Sequence, residues 1–336
     1  MIETTTAAIS FWQERYTRPL MDLGAAGDAN LQGIFSPGYD ATTVGQYVQA
    51  QFMQEAEGYV SRYANTAYWH ALLVRAFETA GLRPAEHPRG IILDLGSGAG
   101  NTILPLLELF PSAQVLASDL SAMMLAFLKR ALGRTQAAAR CGLLQLNAEA
   151  LDFHPASFDL ITGGAVLHHL LHPDLTLAGC ARILKPGGHA IFFEPFENGN
   201  ALLARVYADI LRRPGAQLPP DVASFFRHFA ADINLRKGRD KRAPIFQKLD
   251  DKWCFTRRYF QELAGQHGLS CTIYPLHTTE NPFEKQTEVY LRIGLGKDRT
   301  GLPDWAWELI RELDGAFSDD LKADLLIEGC IILRRP

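Results

Sequence analysis

An α/β fold with a doubly wound, mostly parallel sheet is what the 336-residue sequence predicts. Three observations carry the prediction. Short apolar runs, each about the length of one strand, recur from residue 89 onward. Helical patterns separate them, and strands alternating with helices mean parallel crossovers with both sheet faces covered. A glycine-rich turn joins the first run to the first of those helices, where open parallel sheets bind ligands.

Taken in order, residues 1–88 read as an N-terminal helical cap studded with aromatics, among them Trp12, Tyr16, Tyr63, Tyr68 and Trp69. Within it, residues 23–45 are rich in Gly and small side chains and read as loop. Gly81 ends a helical pattern, and Pro84 and Pro88 follow as stop signals. The runs 90–95, 114–118, 143–146, 158–162 and 189–193 read as strands one to five, with helices over 102–110, 122–132 and 174–184 between them. Ser121 is placed to cap the second of these helices. Leu184-Lys185-Pro186-Gly187-Gly188 is a tight turn before strand five.

The alternation then stops. Residues 197–250 read as an insertion of one or two helices and a charged loop, with seven Lys or Arg between Arg236 and Lys252. That stretch reads either as a solvated surface loop or as a lid that attracts an anionic substrate. Thr256 can cap a helix that Gly268 ends. Residues 269–274 read as a sixth strand, a second insertion carries a helix over 304–313, and residues 327–333 read as a seventh strand. The division is thus a cap over 1–88, a core over 89–196, an insertion or lid over 197–250, and the rest of the core over 251–336.

Apolar residues make up 47% of the chain and charged residues 21%, ordinary for a globular protein. Lys and Arg number 33 against 37 Asp and Glu, a formal charge of −4, which argues against nucleic acid as the main partner. The five cysteines are odd in number, and no two are separated by only two residues, which argues against a disulfide framework and a thiolate zinc site. No basic leader and no apolar run of about 18 residues is present, so a soluble cytoplasmic protein without a membrane partner is expected. Neither G-x-S-x-G nor H-E-x-x-H occurs, which leaves hydrolase and zinc-protease readings without support.

The most informative segment is Asp94-Leu95-Gly96-Ser97-Gly98-Ala99-Gly100. Glycines there let the backbone turn sharply and approach a ligand, and the following helix adds free N–H donors. Dinucleotide enzymes space their glycines G-x-G-x-x-G to hold a pyrophosphate. Here the third glycine comes one residue early, and Asp94 would repel a phosphate, so the ligand expected lacks one.

This segment and the strands and turns C-terminal to it resemble the class I S-adenosylmethionine-dependent methyltransferases, closely over about 89–194 and more loosely over 251–336. The resemblance implies a Rossmann-like seven-stranded sheet in the order 3-2-1-4-5-7-6 with strand seven antiparallel. It implies S-adenosylmethionine as cofactor and S-adenosylhomocysteine as product. Gly96, Ser97, Gly98 and Asp94 would hold the cofactor. Asp119, 19 residues after Gly100 at the end of strand two, would accept both ribose hydroxyls, with Leu120 beside it. Asn147-Ala148 stands where the family usually has an acid followed by Ala to take the adenine amino group, and an amide oxygen can accept that bond without the charge. Gly164 matches a position whose backbone passes under the cofactor.

The expected activity is methyl transfer to O, N or C of a small molecule. Tyr63 and Tyr68 are candidates to face the sulfonium. His168, or alternatively Glu194 at the end of strand five, is the candidate base. His168 and His172 have a metal-binding spacing, but nothing supplies further ligands, so no metal is expected. The alternatives are an RNA or carrier-protein acceptor docked on the basic stretch, and a cofactor-binding protein without transfer. A homodimer is compatible with the sequence.

Overall fold

The protein is described by a computed structural model that covers residues 9–39, 58, 65–86, 90–215 and 217–336. Five parallel strands form the centre of one sheet: β3 (Ile91–Leu95), β4 (Gln114–Asp119), β5 (Cys141–Gln145), β6 (Phe158–Gly164) and β7 (Leu184–Pro195). Two further strands, β8 (Ser270–Pro275) and β9 (Glu328–Arg334), extend it beyond β7, with β9 antiparallel to both of its neighbours. The spatial order β5-β4-β3-β6-β7-β9-β8 is the expected 3-2-1-4-5-7-6.

The helices follow the expected alternation. They are α1 (Thr66–Ala80), α2 (Ile103–Leu109), α3 (Ala122–Leu132), α4 (Pro173–Ile183) and, after the first insertion, α7 (Arg257–Gln266). Ser121 caps α3 by accepting from the Met124 N–H, and Thr256 caps α7 by accepting from the Tyr259 N–H. Strand pleating sends alternate side chains to opposite faces, so Leu93 and Leu95 pack with α4 and α7, and Ile92 packs with α1 and α2. Both faces are thereby covered, as a parallel sheet requires.

The N-terminal segment departs from the expected helices and loop. Within residues 23–45, Ile34–Ser36 forms a strand, β2, which pairs parallel with β5 through Ile34 and Leu143. Met21–Asp22, β1, pairs antiparallel with β2, so among the described residues the sheet has nine strands rather than seven. The tie is tertiary: buried Ser36 donates its hydroxyl to Gln145 Oε1 at 2.9 Å. Trp12, only 2% exposed, fills the space that a side chain at Gly142 would need.

The two insertions form one helical lobe. The first supplies α5 (Glu197–Arg212) and α6 (Pro220–Arg236), and the second supplies α8 (Pro282–Leu295), α9 (Asp304–Gly315) and α10 (Asp319–Asp324). Leu203, Tyr207, Phe226, Phe283, Leu291, Trp307 and Ile310 share a single core. Tyr207 stacks on Phe226 with ring centroids 4.0 Å apart, and its hydroxyl meets Thr287 Oγ1 at 2.9 Å. Asp314 of α9 accepts from the Phe283 and Glu284 N–H groups, which fixes the start of α8.

Of the seven cations in the basic stretch, Lys237, Arg239, Arg242 and Lys248 are exposed, as expected of a solvated loop. Arg236, Lys241 and Lys252 are buried. The Arg236 guanidinium bonds Asp232, Asp251 and the Trp253 carbonyl. Lys252 Nζ donates to the carbonyls of His169, Leu249 and Asp250. These cations staple the insertion to the loop after β6.

Among the described residues no helix is long and apolar enough to cross a membrane.

Candidate functional site

The turn after β3 is built from the inside. Asp94 is fully buried, and its carboxylate accepts from Thr162 Oγ1 at 2.6 Å and from Ser97 Oγ and Thr102 Oγ1 at 2.7 Å each. Burial pushes its carboxyl up to about 6 against the pull of those three hydroxyls. Ser97 Oγ also accepts from the Ser118 N–H, which ties the turn to the end of β4. Gly96 (φ +64°) and Gly98 (φ +51°) lie in the left-handed region, and a Cβ on Gly96 would fall 2.6 Å from Val166 Cγ2.

Asp119 stands across that turn. One of its oxygens accepts from the Gly98 N–H at 2.9 Å and the other from the Ser121 N–H at 2.8 Å. Burial raises its pKa, and those backbone donors oppose the rise. Each oxygen keeps lone-pair capacity toward the space above the sheet.

That space is a cavity of about 1010 Å³. Gly96, Ser97, Gly98, Asp119, Leu120, Asn147, Ala148 and Gly164 all line it, so eight of the expected cofactor residues are brought together. Asn147 Oδ1 already accepts from the Glu149 N–H at 3.0 Å, which fixes the amide at the wall. Gly164 has no room for a side chain, because Trp69 Cζ3 lies 2.5 Å from where its Cβ would be. The next residue, Ala165, lines the cavity with φ +55°, a strained conformation of the kind found at binding sites. Tyr68 also lines the cavity, whereas Tyr63 lies outside the described residues.

Three expected site residues are placed differently. Asp94 does not reach the cavity wall: its carboxylate is consumed by the three hydroxyls, and it shapes the turn from beneath. Glu194, fully buried, accepts from the N–H groups of Val166 (3.0 Å), Leu167 (2.7 Å) and His168 (3.2 Å). His168 directs Nδ1 to Glu194 at 2.7 Å and Nε2 to Asp251 at 3.4 Å. Burial opposes charge on this imidazole, but Asp251 and Glu194 outweigh it and hold its pKa up at about 10. A protonated ring with both nitrogens engaged has no free lone pair, and neither His168 nor Glu194 lines the cavity.

His168, His169 and Asp251 bring ligand-type atoms within 4.8 Å of one another. The other oxygen of Asp251 meets Arg236 at 3.1 Å, and with His168 protonated the group is an ion-pair network.

Residues to which the sequence assigned no role complete the wall. His169 lines the cavity in place of His168, and α8 contributes Gln286, Val289 and Tyr290. Glu328, the first residue of β9, faces the same space, and Tyr290 Oη donates toward its carboxylate at 3.2 Å. The signal for α8 was present: Pro282 at its first turn and Gly296 just past its end bracket the helix. Glu328 carried no such signal.

A doubly wound sheet with a glycine turn after its first strand and a carboxylate ending its second defines a nucleoside-binding fold. Residues 93–192 match the family described as Methyltransferase domain. The chain is 30% identical over 195 residues to a ubiquinone/menaquinone biosynthesis C-methyltransferase, UbiE, of Methylococcus capsulatus, covering 56% of this chain and 75% of that protein. It is 32% identical over 200 residues to an uncharacterized protein of Synechococcus, covering 57% of this chain but only 46% of that protein's length. In fold it is similar to a chain of the Haloferax volcanii complex between the Trm112 methyltransferase activator and a methyltransferase, with a TM-score of 0.51 and 16% identity over 86% of this chain and 99% of that one.

The chain belongs to the class I S-adenosylmethionine-dependent methyltransferases. The residues present fit that cofactor. The turn admits close backbone approach, Asp119 puts a carboxylate on the cavity wall where vicinal hydroxyls could be accepted, and no cationic side chain suited to a pyrophosphate lies on the turn.

Proposed function

We propose that the protein transfers the methyl group of S-adenosylmethionine to an O, N or C atom of a small molecule bound in the same cavity. The observation that carries this reading is the continuity of one cavity from the glycine turn to α8 and Glu328. Its volume of about 1010 Å³ stands at the upper end of the roughly 300–1,000 Å³ of small-ligand pockets, which suits two ligands side by side. Asp119, Leu120, Asn147 and Ala148 would hold the nucleoside, and Gly96, Ser97 and Gly98 the amino-acid end. Bound S-adenosylmethionine supplies an already activated methyl group. The chain's contribution is alignment and exclusion of water, and such positioning is worth up to about 7–11 kcal/mol.

A macromolecular acceptor finds less support. The basic stretch that would dock it turns Arg236, Lys241 and Lys252 inward, and its exposed Arg239 and Arg242 are paired with Glu262 and Asp240.

The test is calorimetric titration with S-adenosylmethionine, followed by measurement of S-adenosylhomocysteine formed over a panel of small O–H, N–H and C–H acceptors. Binding and turnover with at least one panel member are expected, with rates flat between about 50 and 200 mM salt. A steep fall with salt would instead indicate a polyanionic acceptor, since phosphate contacts lose about 10³–10⁵ in affinity over such a range.

A further inference from the structure

We infer that Glu328 is the acceptor-facing base of this cavity and that the acceptor is a flat hydroxyaryl compound whose O–H it deprotonates; this rests on the methyltransferase reading above. Because β9 runs antiparallel, its first residue lies at the edge where β7 ends, beside the cofactor turn. Glu328 stands opposite Pro195 in the register, and Glu194 opposite Gly329. The two carboxylates are therefore one step apart on neighbouring strands, and the pleat turns them to opposite faces. Glu194 goes under the loop after β6, whereas Glu328 goes to the cavity side that holds Phe193, Trp69 and Tyr68.

Glu328 is bonded but not consumed. Tyr290 Oη has one proton to share between Asn200 Oδ1 at 3.0 Å and Glu328 Oε1 at 3.2 Å. Among the described residues no donor meets the other oxygen, Oε2. Burial pushes this carboxyl up to about 7, His168 and Arg236 pull it down, and Glu194 pushes it up. Among the described residues, Tyr68 from α1 and Tyr290 from α8 also act on it, Cys254 lies beyond Tyr290, and His277, Lys285 and Arg292 line the same cavity.

That environment selects an acceptor. A base titrating near neutral pH is matched to an acid only a few units weaker, and a phenol at about 10 qualifies. The walls favour a flat ring: Trp69 stands edge-on to Phe193 with centroids 5.7 Å apart and to Tyr68 at 5.9 Å. In the step, Glu328 takes the hydroxyl proton as the acceptor oxygen bonds the methyl carbon. The S–CH₃ bond breaks with its electron pair kept on sulfur, and Glu328 releases the proton to water.

The experiment uses 2-naphthol as probe, in two readouts. In the cofactor-free protein, fluorescence titration should show naphthol affinity falling as pH drops through about 7, because protonated Glu328 loses the charge-assisted bond. Glu328→Gln should bind naphthol at least tenfold more weakly, with no pH dependence, while S-adenosylmethionine affinity stays within twofold. Naphthol methylation, read as S-adenosylhomocysteine formed, should fall about 10²–10⁴-fold in Glu328→Gln. Glu328→Asp should restore the pH dependence, and it takes over as the test variant if the Gln variant does not fold. Unchanged naphthol affinity and pH profile in Glu328→Gln would overturn the proposal. So would a wild-type protein that binds S-adenosylmethionine but neither binds nor methylates naphthol. Failure of the wild type to bind S-adenosylmethionine would overturn the site reading beneath it instead.

Discussion

Glu194→Ala is expected to destabilise the fold by about 3–5 kcal/mol in urea unfolding, the cost of breaking a buried ion pair from one side. The carboxylate is fully buried and satisfies three consecutive N–H groups, those of Val166, Leu167 and His168. Its removal orphans those donors and leaves the His168 imidazolium, itself buried, with Asp251 alone at 3.4 Å. Glu194→Gln keeps one acceptor oxygen for the Val166 and Leu167 N–H groups but sets its NH₂ against the His168 N–H and Nδ1, so its cost should be nearer about 1–3 kcal/mol. A loss under about 1 kcal/mol for the alanine variant would mean that the turn after β6 holds itself.

The same network sets a pH window. His168 has a folded-state pKa raised from its ordinary 6.5 to about 10 by Asp251 and Glu194, against the opposing effect of burial. A raised pKa contributes stability that is complete below about 6.5 and is lost as pH climbs through about 10. Asp251 moves the other way: His168, Arg236 and His169 hold it well below its ordinary value against burial, so its contribution is present above about 3.9 and is lost in acid. Melting temperature should therefore decline toward pH 10, and that decline should shrink in His168→Gln.

What the sequence could say about the site followed the range of the forces involved. The cradle from Asp94 to Gly100 was legible because its cause is local: Gly96 and Gly98 need positive φ, and no other residue adopts it cheaply. Ser121 and Thr256 were legible as caps for the same reason. β1 and β2 were not, since strands of two and three residues show no periodicity, and β5, to which β2 pairs, lies some hundred positions away. The acid–base residues failed in a more instructive way. Glu194 and His168 have the right chemistry at the right edge of the sheet, but the turn after β6 folds over both and binds them. Glu328 has the same chemistry and is left facing the cavity, which only the register of β9 against β7 decides. Asp94 was read correctly as part of the cradle and misplaced within it, because a carboxylate that shapes a turn and one that touches a ligand look alike in sequence.

Asp119→Ala should weaken S-adenosylmethionine binding by about 1.5–3 kcal/mol, the range for hydrogen bonds to a charged group, or roughly 10–150-fold in Kd. Two effects are folded into that loss. The carboxylate would accept the ribose hydroxyls, and it also braces the cradle through the Gly98 and Ser121 N–H groups. Asp119→Asn separates them. Its single carbonyl oxygen can satisfy one of the two N–H groups, while its NH₂ must face the other, so bracing is half lost and the negative charge is gone. Asn and Ala variants with similar losses would assign most of the energy to charge-assisted ribose recognition. An Asn variant losing about half as much as the Ala variant would assign it to bracing, since one of the two N–H groups keeps its acceptor. The thermal transition is the control. Ser97 and Thr102 hold the turn to Asp94 independently of Asp119, so the fold should survive either change. Calorimetry giving an affinity within twofold of wild type for Asp119→Ala would remove Asp119 from the cofactor site.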